Sequence, residues 1–176
     1  VTADAAVRIM RPNGSGTAFH IGGGRIITAA HVVVGAKVVS LKDQAGHISS
    51  ATVVSVDEKT DLAILQTAMR LPASDLSCAT VPVGTLVSAI GNPLGQEFVS
   101  SFGRIAGSPR TVGDIRTVYI TDMTVVMGPS GGPGFADGRA IGVMSAVMVA
   151  PMKIPGTADK FVPSLVGFGF VVPSTL

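Results

Sequence analysis

Short apolar, β-branched runs recur along the chain at close intervals, with glycine, proline or charged residues between them. In the first part they occupy residues 7–10, 17–21, 25–33, 38–41, 51–56 and 62–65. In the second they occupy residues 86–90, 99–105, 117–120, 140–144 and 167–172. The runs are strand-length, and none is followed by the amphipathic stretch of about ten or more residues that a βαβ unit needs. The pattern therefore predicts an all-β sandwich or barrel of about a dozen strands. Asn13-Gly14-Ser15-Gly16 reads as a hairpin connection and Gly22-Gly23-Gly24 as a turn. Around His31 the sequence shifts to small residues, and residues 29–35 are predicted to allow one helical turn. Residues 107–116 and 150–166, rich in Pro, Gly and polar side chains, are predicted to be irregular loops, where binding specificity tends to reside on a β scaffold.

Composition narrows the picture. The 176 residues suit one well-packed domain, and 47% hydrophobic against 14% charged residues is the balance of a chain that fills a core. The net charge of +2 is scattered, with no basic run and little aromatic interleaving, so nucleic acid and anionic membranes are not expected partners. The long uncharged stretch at residues 76–96 is broken by Pro82, Gly84, Gly91 and Pro93, so no membrane-spanning helix is expected. Cys78 is the only cysteine, which excludes an intramolecular disulfide and is expected to be a buried structural thiol. No ligand cluster points to a metal or an organic cofactor, and none is expected. The chain begins at Val1 with no charged-then-apolar leader, which leaves its compartment open.

The candidate chemistry lies in Gly128-Pro129-Ser130-Gly131-Gly132-Pro133. Glycines on both sides of one hydroxyl let a backbone turn sharply, expose the serine and aim its N–H groups at one point, although the same residues also make ordinary surface turns. A serine nucleophile needs a histidine base, and a carboxylate to hold that base in the right tautomer. The three histidines, His20, His31 and His47, all precede Ser130. That order excludes the α/β-hydrolase elbow, whose histidine follows its serine. The subtilisin order would leave only Asp4 ahead of His31. The order His, Asp, Ser fits best.

Several separate motifs then coincide. Gly14-Ser15-Gly16-Thr17, Ile26-Ile27-Thr28-Ala29-Ala30-His31-Val32-Val33 and Lys59-Thr60-Asp61-Leu62-Ala63-Ile64-Leu65 resemble the histidine and aspartate regions of HtrA/Deg-type trypsin-like serine proteases. Ala89-Ile90-Gly91-Asn92-Pro93-Leu94-Gly95, Thr121-Asp122 ahead of the serine loop, and Gly167-Phe168-Gly169-Phe170-Val171-Val172-Pro173-Ser174 continue the resemblance over nearly the whole chain. It implies two six-stranded antiparallel β-barrels, residues 1–75 and 76–176 of one protease domain, with the active site in the cleft between them. It implies His31 as general base, Asp61 as its orienting carboxylate and Ser130 as nucleophile, with Asp57 close enough to Asp61 to compete. His20 and His47 lack the surrounding pattern and are expected on the surface or in hairpins. Asp122 matches a family position to which no role is assigned.

By the same resemblance the oxyanion would be bound by the backbone N–H groups of Gly128 and Ser130. Pro129 stands where relatives have asparagine. It lacks an N–H and fixes its own φ, so it leaves both donors intact and is expected to stiffen the loop. It also cannot form the zymogen-type salt bridge to a new N-terminus, so Val1 is not expected to be an activating terminus. Thr124 would floor the primary pocket and Ser145, Ala146 and Val147 would line a wall, which implies a small or medium apolar P1 residue. The substrates implied are polypeptides, either unfolded protein or a polyprotein, and homo-oligomers are left open. HtrA proteins usually carry a peptide-binding PDZ domain after the protease. Here the sequence stops soon after Pro173-Ser174, so a separated domain and a stand-alone protease both remain open. The resemblance favours a periplasmic or secreted protein and leaves a phage or viral origin open. The alternatives to a serine endopeptidase are a latent protease fold serving as a peptide-binding or chaperone-like module, and an esterase with the same triad.

Overall fold

A computed structural model of the chain describes residues 2–12, 14–92, 95–112, 115–123, 130–153 and 161–173. Among them are twelve strands. The first six are β1 (Ala6–Arg11), β2 (Gly14–Gly22), β3 (Arg25–Ala29), β4 (Val38–Lys42), β5 (Ile48–Asp57) and β6 (Leu62–Thr67), with one helical turn, α1 (Ala30–Val33), after β3. The others are β7 (Leu86–Gly91), β8 (Val99–Val112), β9 (Ile115–Thr121), β10 (Pro133–Ala136), β11 (Arg139–Lys153) and β12 (Phe161–Pro173).

Alternation explains the first sheet. In β6, Ala63, Leu65 and Thr67 point inward while Ile64 and Gln66 face out, as a half-buried strand requires. Gly23 and Gly24, both at positive φ (61° and 74°), turn β2 into β3 as a two-residue hairpin. The six strands pair antiparallel and close in the order β1-β2-β3-β6-β5-β4. Gly14, Ser15 and Gly16 belong to β2 rather than to the hairpin connection, because Gly14 already pairs with Arg11.

In the second half the expected pair of six-stranded barrels needs correcting. The order is β10-β11-β12-β9-β8-β7, but the wall is uneven. Five strands, β7, β8, β9, β12 and β11, form an open half-barrel. Its gap is spanned by β10, four residues long, through two pairs to β7, Gly134 with Ala89 and Phe135 with Ser88. The β8–β9 ladder shifts register three times between Ile105 and Val112. Pro133, without an N–H to donate, opens β10 directly after the turn that carries Ser130, and proline at a strand start shortens the ladder available there.

The expected loops at residues 107–116 and 150–166 also need correcting. β8 continues to Val112, β9 starts at Ile115, β11 runs to Lys153 and β12 starts at Phe161. Strand formation depends on cross-strand neighbours more than on intrinsic preference. Here each polar or proline-containing run meets another antiparallel run, with Arg110 opposite Val118 and Pro151 opposite Pro163.

Three apolar clusters hold these sheets. One fills the first barrel, including Val7, Ile9, Ile26, Leu41 and Leu65, and one fills the second, including Ile105, Tyr119, Met123 and Met144. The third joins them. Ala6, Phe19 and Ala29 of the first half pack with Ile90, Phe135, Ala140 and Val143 of the second. Cys78 is exposed in the segment before β7, not buried as expected. Phe19 has no exposed surface at the junction, so Phe19→Ala is expected to lower unfolding free energy by about 3–5 kcal/mol, measured by urea denaturation.

Candidate active site

His31 and Asp61 come from adjacent corners of the first barrel. β3 ends at Ala29, and α1 lifts His31 to the rim with its imidazole about half exposed (49%). Asp61 sits in the tight turn before β6, in a left-handed conformation (φ 57°) that aspartate tolerates better than most residues. Its carbonyl accepts the Ala30 N–H at 3.0 Å, which fastens the turn to the start of α1.

The Asp61 carboxylate, 9% exposed, is surrounded by donors. Oδ1 accepts the His31 backbone N–H at 3.0 Å, and the His31 ring Nδ1 lies 3.0 and 2.9 Å from Oδ1 and Oδ2. The Ser145 hydroxyl, brought from β11 of the second half, donates to Oδ2. Because a carboxylate only accepts, Nδ1 carries a proton, and in the neutral ring that leaves the lone pair on Nε2. Burial pushes the Asp61 carboxyl up, but the His31 ring, the Ser145 hydroxyl and the His31 backbone N–H outweigh it and hold the carboxyl below its usual range. Asp57, the competing aspartate, is exposed and accepts the Lys59 backbone N–H at 2.9 Å, a turn-capping role.

Ser130 begins the turn before β10, and that turn is tied to both halves. Its carbonyl accepts the Thr17 N–H from β2 at 2.9 Å. The Gly131 N–H donates to Met144 at 2.7 Å, and Met144 returns its N–H to Gly132 at 2.8 Å. Gly131 has φ 89°, and a Cβ there would overlap the Thr17 carbonyl and the Thr28 hydroxyl, so no larger residue fits. The Ser130 hydroxyl is 3.3 Å from the Ser145 carbonyl, to which it donates. Ser130 and His31 face one cleft of about 450 Å³, shared with Arg11, Pro12, Gly14, Ser15 and Val32.

The other expected site residues divide. Gly128, Pro129 and Thr124 lie outside the described residues. Ala146 and Val147 are in β11, in register with Phe170 and Gly169. Ser145 is buried, with its hydroxyl committed to Asp61. Nothing in its local sequence marked that contact, because the two residues are 84 apart. His47 is exposed and pairs with Asp43 in the β4–β5 turn. His20 is in the β2–β3 hairpin but buried. Its Nε2 accepts the Gly24 N–H at 3.1 Å, so its Nδ1 donates to the Pro72 carbonyl at 3.0 Å, which fixes it as a neutral structural imidazole. Asp122 gains a role: its carboxylate accepts the Arg104 N–H at 2.6 Å, tying the end of β9 to β8. Among the described residues, no three His, Cys, Asp or Glu side chains gather as a metal would require, and no helix is long and apolar enough to cross a membrane.

A family model for the trypsin-like peptidase domain matches residues 16–143, which include His31, Asp61 and Ser130. The chain belongs to that family. Within it, this is an HtrA/Deg-like trypsin-fold domain. It is 41% identical over 133 residues to a protein of Halomonas elongata named "Probable periplasmic serine endoprotease DegP-like", an alignment covering 70% of this chain and 27% of that protein. It is 36% identical over 163 residues to serine protease Do-like HtrB of Bacillus subtilis, covering 85% and 33%. The chain thus spans about a quarter to a third of these relatives' length. Among solved structures, the HtrA-type protease AlgW with a tripeptide superposes with a TM-score of 0.82 at 26% identity, covering 98% of this chain and 57% of that one. The Rv3671c protease of M. tuberculosis, in an inactive form, gives 0.78 at 29% identity, covering 98% and 85%.

Two predictions follow from the carboxylate's surroundings. Its pKa is depressed in the folded state, so the stability it adds is fully present above the unfolded value near about pH 4 and is lost as pH falls through the lower folded value. Urea denaturation below about pH 4 is expected to show a shallower fall in stability for Asp61→Asn than for the wild type. Ser145→Ala, which removes one donor from Asp61, is expected to lower kcat by about tenfold with KM little changed, and Asp61→Asn to lower it by about 10⁴-fold. Steady-state peptide hydrolysis separates the two.

Proposed function

We propose that the domain is a serine endopeptidase in which Ser130 is the nucleophile, His31 the general base and Asp61 the residue that orients it. The observation that carries this reading is the His31–Asp61 pair, whose Nδ1 contact leaves Nε2 free on the cleft that Ser130 also lines. Ser130 Oγ would attack a peptide carbonyl as His31 Nε2 takes its proton. His31 would then hand that proton to the departing amine, leaving an acyl group on Ser130. Water, deprotonated by His31, would cleave the ester and return the enzyme. Asp61 stays ionised throughout and steadies the imidazolium. The N–H groups of Gly128 and Ser130 would receive the oxyanion, each donor contributing about 3 kcal/mol in the transition state.

Polypeptides are the substrate class, a reading supported by the peptide-bound AlgW relative. Unfolded chains or a polyprotein, cut after small or medium apolar residues, are the finer proposal, since Thr124 brings no carboxylate to the presumed pocket floor. Several DegP-like relatives are named periplasmic, and the periplasm is the proposed compartment. These relatives are bacterial and lend no support to a phage or viral origin.

One observation favours a second reading, a latent fold that binds peptides without cutting them. The Ser130 hydroxyl donates to Ser145 rather than to His31, and an inactive form is among the similar structures. A fluorophosphonate probe is expected to label the wild type and not Ser130→Ala, and a P1 peptide library to favour Ala and Val over Arg and Lys. No labelling of the wild type under any condition would leave the latent reading standing, and a basic P1 preference would remove the pocket assignment.

A further inference from the structure

The segment that leaves β7 carries a side chain that the proposed reaction does not use. Asn92 is fully buried (0%) and neutral, and a buried amide is costly unless both its ends are bonded. Both are. Its Nδ2 donates to Thr17 Oγ1 at 2.9 Å and its Oδ1 accepts the Phe98 N–H at 3.0 Å. Thr17 belongs to the first barrel and is also fully buried. Its backbone N–H holds the Ser130 carbonyl at 2.9 Å, and its own carbonyl accepts the Thr28 hydroxyl at 2.7 Å. One residue thus links the second half's Asn92 to the serine turn.

Phe98 and Glu97, a few residues further on, are tied down as well. Phe98 packs against the inter-barrel cluster with its backbone at φ 55°, a conformation an aromatic residue adopts only when its surroundings impose it. Glu97 Oε1 accepts from Arg8 at 2.8 Å and Lys42 at 2.9 Å, both on the first barrel. Ion pairs at such exposure contribute little each, so the buried amide is the directional tie.

We infer that Asn92 is a positioning residue: through Thr17 it fixes the height of the Ser130 turn against His31. Its kinetic consequence rests on the reading of Ser130 as nucleophile, whereas its structural consequence does not.

The test pairs hydrogen exchange with probe kinetics on Asn92→Ala, Thr17→Val and Thr17→Ser. In Asn92→Ala and Thr17→Val the Thr17 amide is expected to exchange at least about tenfold faster while the other ladder amides of the first barrel keep their rates. The limiting rate of fluorophosphonate labelling is expected to fall about 10- to 100-fold at unchanged half-saturating probe concentration. Thr17→Ser, which keeps the hydroxyl, is expected to recover most of both losses. An unchanged Thr17 amide, or a rise shared by all ladder amides, would overturn the inference by reducing Asn92 to general stabilisation. If Asn92→Ala fails to fold, Thr17→Val gives the same readout with a side chain of nearly equal shape. A wild type that takes no label, with a Thr17 amide that still responds selectively, would sink the protease reading and leave the positioning role intact.

Discussion

A carboxylate held out of water has to be given donors, and the arrangement of this domain depends on how Asp61 receives them. An unpaired ion in that position would cost several kcal/mol. The first barrel supplies the His31 backbone and ring, and the second supplies the Ser145 hydroxyl across the junction. Neither half alone completes the shell. Placement of the two sheets and ionisation of Asp61 are therefore mutually dependent, and the proton on His31 Nδ1 follows from both.

The serine turn obeys the same division. Thr17 anchors it to the first barrel and Met144 to the second, so the backbone at Ser130 is held by both. Close approach is the price at Gly131, where the Thr17 carbonyl and the Thr28 hydroxyl occupy the space a Cβ would need. Beneath these polar ties, Phe19, Phe135 and Val143 form an apolar layer shared by the halves.

Much of this was legible in the sequence, for local reasons. Strand positions followed apolar runs, and the motifs around His31 and Asp61 marked two side chains that the first barrel brings into contact. What escaped is non-local. The Ser145–Asp61 and Asn92–Thr17 bonds span 84 and 75 residues, and a serine in a strand or an asparagine just past one looks the same with or without a distant partner. Residues 107–112 and 150–153 looked like loop because proline, glycine and polar residues disfavour strands locally, yet cross-strand pairing overrode that preference. The short β10 was hidden in the Gly-Pro-rich run after Ser130, and its shortness is what keeps the second wall from being a regular barrel. His20 was expected on the surface or in a hairpin; it is in the hairpin, but its burial was not legible because the Pro72 carbonyl that takes its Nδ1 proton lies 52 residues away.

Ser145 finally bears on how the proposed nucleophile is held at rest. Its hydroxyl serves Asp61 while its carbonyl takes the Ser130 hydroxyl, so one residue touches both ends of the presumed relay. The two contacts differ in strength. The bond to Asp61 is charge-assisted, and such bonds are roughly twice as strong as neutral ones. The bond from Ser130 is neutral and, at 3.3 Å, longer than the usual hydroxyl–oxygen distance. Turning the Ser130 side chain away from Ser145 therefore sacrifices little, whereas disturbing Asp61 sacrifices much. The parked hydroxyl is accordingly a weaker argument for latency than the fixed carboxylate is for a working base, because the group that must move is loosely held and the group that must stay is firmly held.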